Sequence, residues 1–159
     1  FLAEYDIGAL QSYKGIAEGV ENSNYYLETD RGRYILTLYE KRVAPEDLPF
    51  FLGLMDHLAA KGIPCPTPVH GRDGRALRTL AGRPAAIVTF LAGVWPRKVR
   101  IEHCAPLGEA LARLHAAGRD YAGRRPNNLA LAGWRPLFEK CAPRAHEVQN
   151  GLAGEIEAE

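Results

Sequence analysis

The sequence predicts an α+β fold: a five-stranded antiparallel sheet with one helix inserted between its third and fourth strands, then the start of a helical region. Three observations carry this. Residues 14–39, KGIAEGVENSNYYLETDRGRYILTLY, read as strand, glycine loop, strand, tight turn and strand. Residues 44–62 carry the start and stop signals of a single helix. After Ala92-Gly93 the short β-rich runs give way to helical periodicity.

Taken in order, FLAEYDIGAL at residues 1–10 reads as a short helix, and Gln11 to Lys14 as a first strand running into the loop bracketed by Gly15 and Gly19. A backbone without Cβ bends sharply and lets a ligand come close. Two glycines between strands also describe an ordinary hairpin, and neither G-x-x-x-x-G-K-[ST] nor G-x-G-x-x-G is present. Asn24 to Thr29 (NYYLET) has the aromatic and β-branched content of a strand. Asp30-Arg31-Gly32-Arg33 is a turn by composition, and Tyr34 to Tyr39 is the third strand.

Ala44-Pro45-Glu46-Asp47 starts the inserted helix, with proline near its first position and acids in its first turn. Leu48, Phe51, Leu52, Met55, Leu58 and Ala59 recur at helical spacing, and Lys61-Gly62 close it. The alternating prolines of IPCPTPV (63–69) forbid helix and make an extended connector. Asp73-Gly74 marks a hairpin turn. Ala76 to Leu80 and Pro84 to Leu91 are the last two strands, the second apolar enough to be central. Ile101 to Ala117 is a second helix ending at Gly118, with Cys104, Leu107, Gly108, Leu111, Leu114 and His115 on its buried face. A third helical stretch runs from Trp134 to about residue 149, interrupted near Pro143, and GLAGEIEAE reads as one more short helix.

Composition excludes several classes. The chain has 159 residues, a net charge of +1 and mixed signs throughout, so no basic stripe calls for nucleic acid. Cys65, Cys104 and Cys141 are odd in number and widely spaced, with no C-x-x-C, which argues against a zinc ribbon or a disulfide scaffold. The five histidines show no ligand spacing, and His115 reads as a hydrogen-bonding helix residue. No apolar run approaches the length of a membrane span and no signal peptide opens the chain, so a cytoplasmic protein is expected. Both ends look cut: the chain opens on Phe1 and stops at Glu159 inside a helical pattern.

Order and motifs together resemble the aminoglycoside phosphotransferase-like kinases, which have the protein-kinase-like fold, and among them most the homoserine kinase branch. The residues that carry the resemblance are KGIAEGVENSN (14–24), YILTLYEKR (34–42), LPFFLGLM (48–55), residues 62–66, residues 85–93 and GEALARLH (108–115). The resemblance implies a nucleotide-binding N-lobe over residues 1–91, then a hinge and the beginning of a helical C-lobe over 92–159. It implies ATP with Mg²⁺ as the phosphoryl donor system and homoserine as a small-molecule partner, within a longer enzyme and with no nucleic acid or membrane. Loops of this kind cover nucleotide phosphates because unhindered N–H groups can point at phosphate oxygens. By resemblance, then, Gly15, Ile16, Ala17, Glu18, Gly19, Asn22 and Asn24 lie over the phosphates, and Thr89, Phe90 and Leu91 form the hinge beside adenine. The alternatives at single residues are plain core for Phe90 and Leu91, and turn caps for Asn22 and Asn24.

Two departures stand out. Where protein kinases place a phosphate-binding lysine on the third strand, this chain has Thr37; Lys41 shares its strand face by alternation, and Glu46 and Asp47 sit only in the helix's first turn. No histidine is followed two residues later by aspartate, so H-x-D-x-x-x-x-N is absent, and Asp6-Ile7-Gly8 precedes the glycine loop. No catalytic base and no metal ligand is therefore assigned; the family places both after the equivalent of Glu159. Other readings of the same pattern are an aminoglycoside, choline or sugar kinase, or a catalytically silent nucleotide-binding scaffold.

Overall fold

The computed structural model describes residues 1–17, 21–40, 43–127 and 130–159. The chain forms two compact units, Phe1–Arg124 and Arg125–Glu159. The first unit is built on five strands, β1 (Leu10–Ile16), β2 (Asn22–Thr29), β3 (Gly32–Tyr39), β4 (Arg78–Leu80) and β5 (Arg83–Thr89). They pair in the order β1-β2-β3-β5-β4, and every pairing is antiparallel. The five-stranded antiparallel sheet and its inserted helix, α1 (Leu48–Ala60), are as the sequence predicts.

Strand alternation divides the sheet into two faces. On one, Leu27, Leu36, Leu38, Ala85 and Ile87 pack with Tyr5 and Ile7 into the main core. On the other, Ala86 packs against Leu52 of α1 and Ala76. β5 is an interior strand between β3 and β4 and is buried on both faces: Ala85, Ala86 and Ile87 are 0% exposed.

Several local readings need correction. Residues 1–10 are not a helix: only Leu2–Glu4 make a 3₁₀ turn. Tyr5 and Ile7 are both buried, which is the alternation of an extended segment rather than a helical stripe. Tyr5 bridges to Gly71, Gly8 turns at φ 84°, and Arg78 ties the segment down by pairing with Glu4 and, at 2.5 Å, with Asp73. The Asp73-Gly74 turn closes locally through Gly71 N–H to Arg75 O at 3.0 Å and joins no two strands of the sheet. The hairpin between β4 and β5 instead turns at Ala81-Gly82, whose φ values are 51° and 74°; positive φ at both central residues is the type I′ signature, read poorly from a sequence with alanine there. β4 is only three residues long because Ala76 and Leu77 pack toward α1. β5 stops at Thr89, leaving Phe90 and Leu91 outside it.

Helix α1 follows a 3₁₀ turn at Pro45–Asp47, and Gly62 at φ 76° ends the excursion. Helix α2 (Cys104–Gly118) follows a 3₁₀ turn at Ile101–His103. Its predicted inner face is not buried: Cys104, Leu107, Gly108, Leu111, Leu114 and His115 are all exposed. An amphipathic pattern announces a surface that gains from cover; here α1 joins the C-terminal end of α2 through His57 and Ala117. A cavity of about 510 Å³ between the Ile63-Pro64 connector and Leu107, Leu111 and Leu114 runs along the uncovered stripe.

At that end the packing is specific. His57 Nε2 lies 2.9 Å from Ala117 O and 3.2 Å from an Asp120 carboxylate oxygen that also pairs with Lys61. The Tyr121 hydroxyl donates to Phe50 O at 3.0 Å. A Cβ on Gly53 would stand 2.5 Å from that hydroxyl, so a side chain there would displace it. The second unit holds α3 (Leu131–Cys141), a 3₁₀ stretch at Ala142–Glu147 where Pro143 interrupts the helix, and α4 (Leu152–Ala158). Among the described residues no helix is long and apolar enough to cross a membrane.

One polar bridge makes stability depend on pH. His70 places Nδ1 2.9 Å from Gly74 O and Nε2 2.9 Å from the Asp56 carboxylate of α1. Two acceptors favour the doubly protonated ring, so the Gly74 carbonyl first, and Asp56 with it, raise the His70 pKa above its ordinary 6.5. A raised folded pKa contributes stability that is complete below the unfolded value and lost as pH rises through the folded value. Thermal midpoints of the protein should therefore fall from pH 6 to pH 8 relative to His70→Gln. Parallel pH profiles for the two proteins would refute the bridge.

Candidate functional site

The register of the strands lays the predicted loop residues side by side. Ile16 pairs with Asn24, Asn24 with Thr37, and Thr37 with Ala86, in one row across β1, β2, β3 and β5. The next row is Lys14, Tyr26, Ile35 and Val88. Because Ala86 packs on Leu52, alternation puts both rows on the α1 face. Gly15 and Ile16 end β1, Ala17 follows it exposed, and Asn22 opens β2 opposite Tyr39. Glu18 and Gly19 lie outside the described residues, as does Lys41.

The polar groups in the first row are engaged with each other. Thr37 Oγ1 donates to Asn24 Oδ1 at 2.8 Å, and Asn22 Oδ1 accepts from the Glu40 N–H at 3.3 Å. A neutral hydrogen-bonded pair thus occupies the β3 position that the resemblance sets against the lysine of protein kinases. Beside it, burial pushes the Tyr39 phenol above its usual pKa.

At the other end of the same face the chain leaves the sheet. Thr89 N–H donates to Thr67 O at 2.9 Å, and its hydroxyl accepts from Thr67 N–H at 2.9 Å. Phe90 N–H donates to Arg33 O at 3.1 Å. The Phe90 ring meets Tyr26 edge-on at 5.5 Å and lies 5.0 Å beneath the Arg33 guanidinium. Both residues thereby fix the exit from β5. Among the described residues the Leu91 N–H has no backbone partner, and its side chain is exposed.

Sequence reasoning passed over Tyr26, Ile35 and Val88, the row between the loop and the exit. Once the β2–β3 and β3–β5 registers are fixed, moving two residues along from Asn24, Thr37 and Ala86 reaches Tyr26, Ile35 and Val88. It also passed over Glu40, Ser23 and Arg83, which meet only in three dimensions. No group of three or more His, Cys, Asp or Glu that could hold a metal ion is found among the described residues.

These elements define a kinase-like α+β fold. The microcompartment-associated aminopropanol kinase superposes with a TM-score of 0.61 at 23% identity, over 86% of this chain and 46% of that one. Spectinomycin phosphotransferase, solved with ADP and spectinomycin, superposes with a TM-score of 0.58 at 12% identity, over 88% of this chain and 44% of that one. The chain belongs to the phosphotransferase enzyme family, whose model matches residues 12–159. It is 67% identical to the homoserine kinase of Paramagnetospirillum magneticum over 159 residues, all of this chain and 49% of that protein. The chain thus spans about half the length of the curated relatives it matches.

Proposed function

We propose that the protein carrying this chain transfers the ATP γ-phosphoryl group to the hydroxyl of homoserine, a step of threonine biosynthesis in the cytoplasm. The observation that carries the reading is the 67% identity to a homoserine kinase, sustained from the first residue to the last. In this reading residues 1–91 bind the nucleotide and 92–159 begin the lobe that holds the acceptor. Adenine lies against Ile16, Ile35 and Val88, with the Leu91 N–H as its backbone donor. Thr89 and Phe90 hold that donor in place through Thr67 and Arg33.

The phosphates lie under the loop from Gly15 to Asn24, including Glu18 and Gly19. With Thr37 bound to Asn24, charge neutralisation does not come from a lysine on β3, and the loop's backbone N–H groups carry more of it. Mg²⁺ accompanies the nucleotide in this reading. The described residues gather no set of carboxylates for it, so none is assigned to the metal and no step is routed through it. The base that accepts the homoserine proton belongs, in this reading, to the half of the relatives that the chain does not span.

Gly19→Val tests the loop. A branched side chain there blocks the approach of backbone to phosphate, and losing one or two hydrogen bonds to a charged group at roughly 1.5–3 kcal/mol each implies at least a tenfold fall in kcat/KM for ATP. Unchanged kinetics in a coupled assay with homoserine would reduce the loop to a plain hairpin.

A further inference from the structure

The Glu40 carboxylate joins three strand ends, and we propose that it positions the exit stem of the glycine loop for the nucleotide. The proposal rests on the nucleotide reading above and deepens it. Glu40 directly follows β3. Its Oε1 accepts from Ser23 Oγ at 2.8 Å and from Arg83 Nη1 at 2.9 Å, and its N–H donates to Asn22 Oδ1 at 3.3 Å. Asn22 and Ser23 open β2, the strand that leaves the loop, while Arg83 opens β5 straight after the Ala81-Gly82 turn.

Stability alone is a poor account of this cluster. The Arg83 side chain is 51% exposed and that of Glu40 26%, and pairs as open as this contribute about 0–1 kcal/mol. Nor does the carboxylate touch the proposed nucleotide. Ser23 pairs with Leu38, and Leu38 with Ala85, so by alternation Ser23, Glu40 and Arg83 lie on the face away from α1. The clamp acts through backbone: it locks the β2 start to the β3 end and both to β5. A loop whose stem is already ordered binds phosphate without an ordering cost at that moment. Arg83 holds the Glu40 carboxylate aimed at Ser23, and a hydrogen bond to a charged partner is the stronger kind. Glu40 is therefore a positioning residue.

The test is Glu40→Ala, read by steady-state kinetics and by amide hydrogen exchange at residues 22–24 without nucleotide. Expected are a rise in KM for ATP of at least fivefold and faster exchange of those amides. The homoserine KM, and kcat at saturating ATP, should stay within twofold. An ATP KM within twofold of the parent overturns the proposal, as does unchanged exchange. Should Glu40→Ala not fold, Ser23→Ala removes one arm of the clamp and must move ATP KM in the same direction. In the double variant, additivity of Ser23→Ala and Glu40→Ala overturns the clamp, and no further loss supports it. A parent protein with no saturable ATP use sinks the nucleotide reading itself, and amide exchange then decides the clamp alone.

Discussion

Offered homoserine, choline and kanamycin side by side, the enzyme carrying this chain should prefer homoserine by at least about a hundredfold in kcat/KM, since losing a paired carboxylate contact costs several kcal/mol. Choline recognition needs an aromatic cage around a quaternary ammonium. Of the aromatics after β5, Tyr121 is packed between Phe50 and His57 at 5.5 and 5.3 Å and donates to Phe50 O, so it is already committed. A polycationic aminoglycoside needs a broad acidic surface. Here Glu102, Glu109, Glu147 and Glu157 each lie beside an arginine, Arg100, Arg113, Arg144 and Arg135 respectively. These four carboxylates are thus each compensated by a neighbouring arginine and add little to an acidic surface. Homoserine offers both a carboxylate and an ammonium, and arginine suits the first of these. A choline or kanamycin preference in a coupled assay would end the homoserine assignment and leave the fold untouched.

Ile87→Ala should lower unfolding free energy by about 2–5 kcal/mol, the range for emptying a fully packed aliphatic site. Ile87 is 0% exposed and belongs to the same buried cluster as Leu27, Leu36, Leu38, Tyr5 and Ile7. The cavity falls between a strand hydrogen-bonded on both sides and a segment held by its own ties, so neither wall collapses easily. Denaturant midpoints measured for parent and variant give the figure, and a loss under about 1 kcal/mol would contradict the packing, because deleting buried methyl groups costs more than that. The lesion sits two residues before Thr89 on β5. It should therefore also raise KM for ATP by loosening the exit that Phe90 and Arg33 fix.

The sheet and α1 were legible because their signals are local. Pro45, the acids of the first turn and Gly62 bracket α1, and the strand runs around the loop are short and β-branched. What failed was whatever depends on distant chain. Leu2, Tyr5 and Ala9 fit a helical period, yet Tyr5 and Ile7 are needed on one core face, and the extended form delivers both. On α2 the apolar stripe was read correctly as a stripe and wrongly as buried, because sequence states which surface gains from cover and not what supplies it. In the candidate site, the row Ile16, Asn24, Thr37 was named from resemblance, and its engagement as a hydrogen-bonded pair follows only from strand register. Glu40 lay inside the YILTLYEKR run without a role of its own, since its partners are 17 and 43 residues away.

The contacts of His57, Lys61 and Tyr121 with the end of α2 have a mechanical consequence. Two bodies joined by a single covalent strand can swivel freely about it. The sheet with α1, and helix α2, are joined twice: once by the chain through residues 90–103, and again where α1 grips Ala117, Asp120 and Tyr121. A second attachment removes most of that freedom. The second attachment restricts how the sheet with α1 can turn against α2, as a second pin does a door. Gly53 sets the position of the second pin, because any side chain there would push the Tyr121 hydroxyl off Phe50.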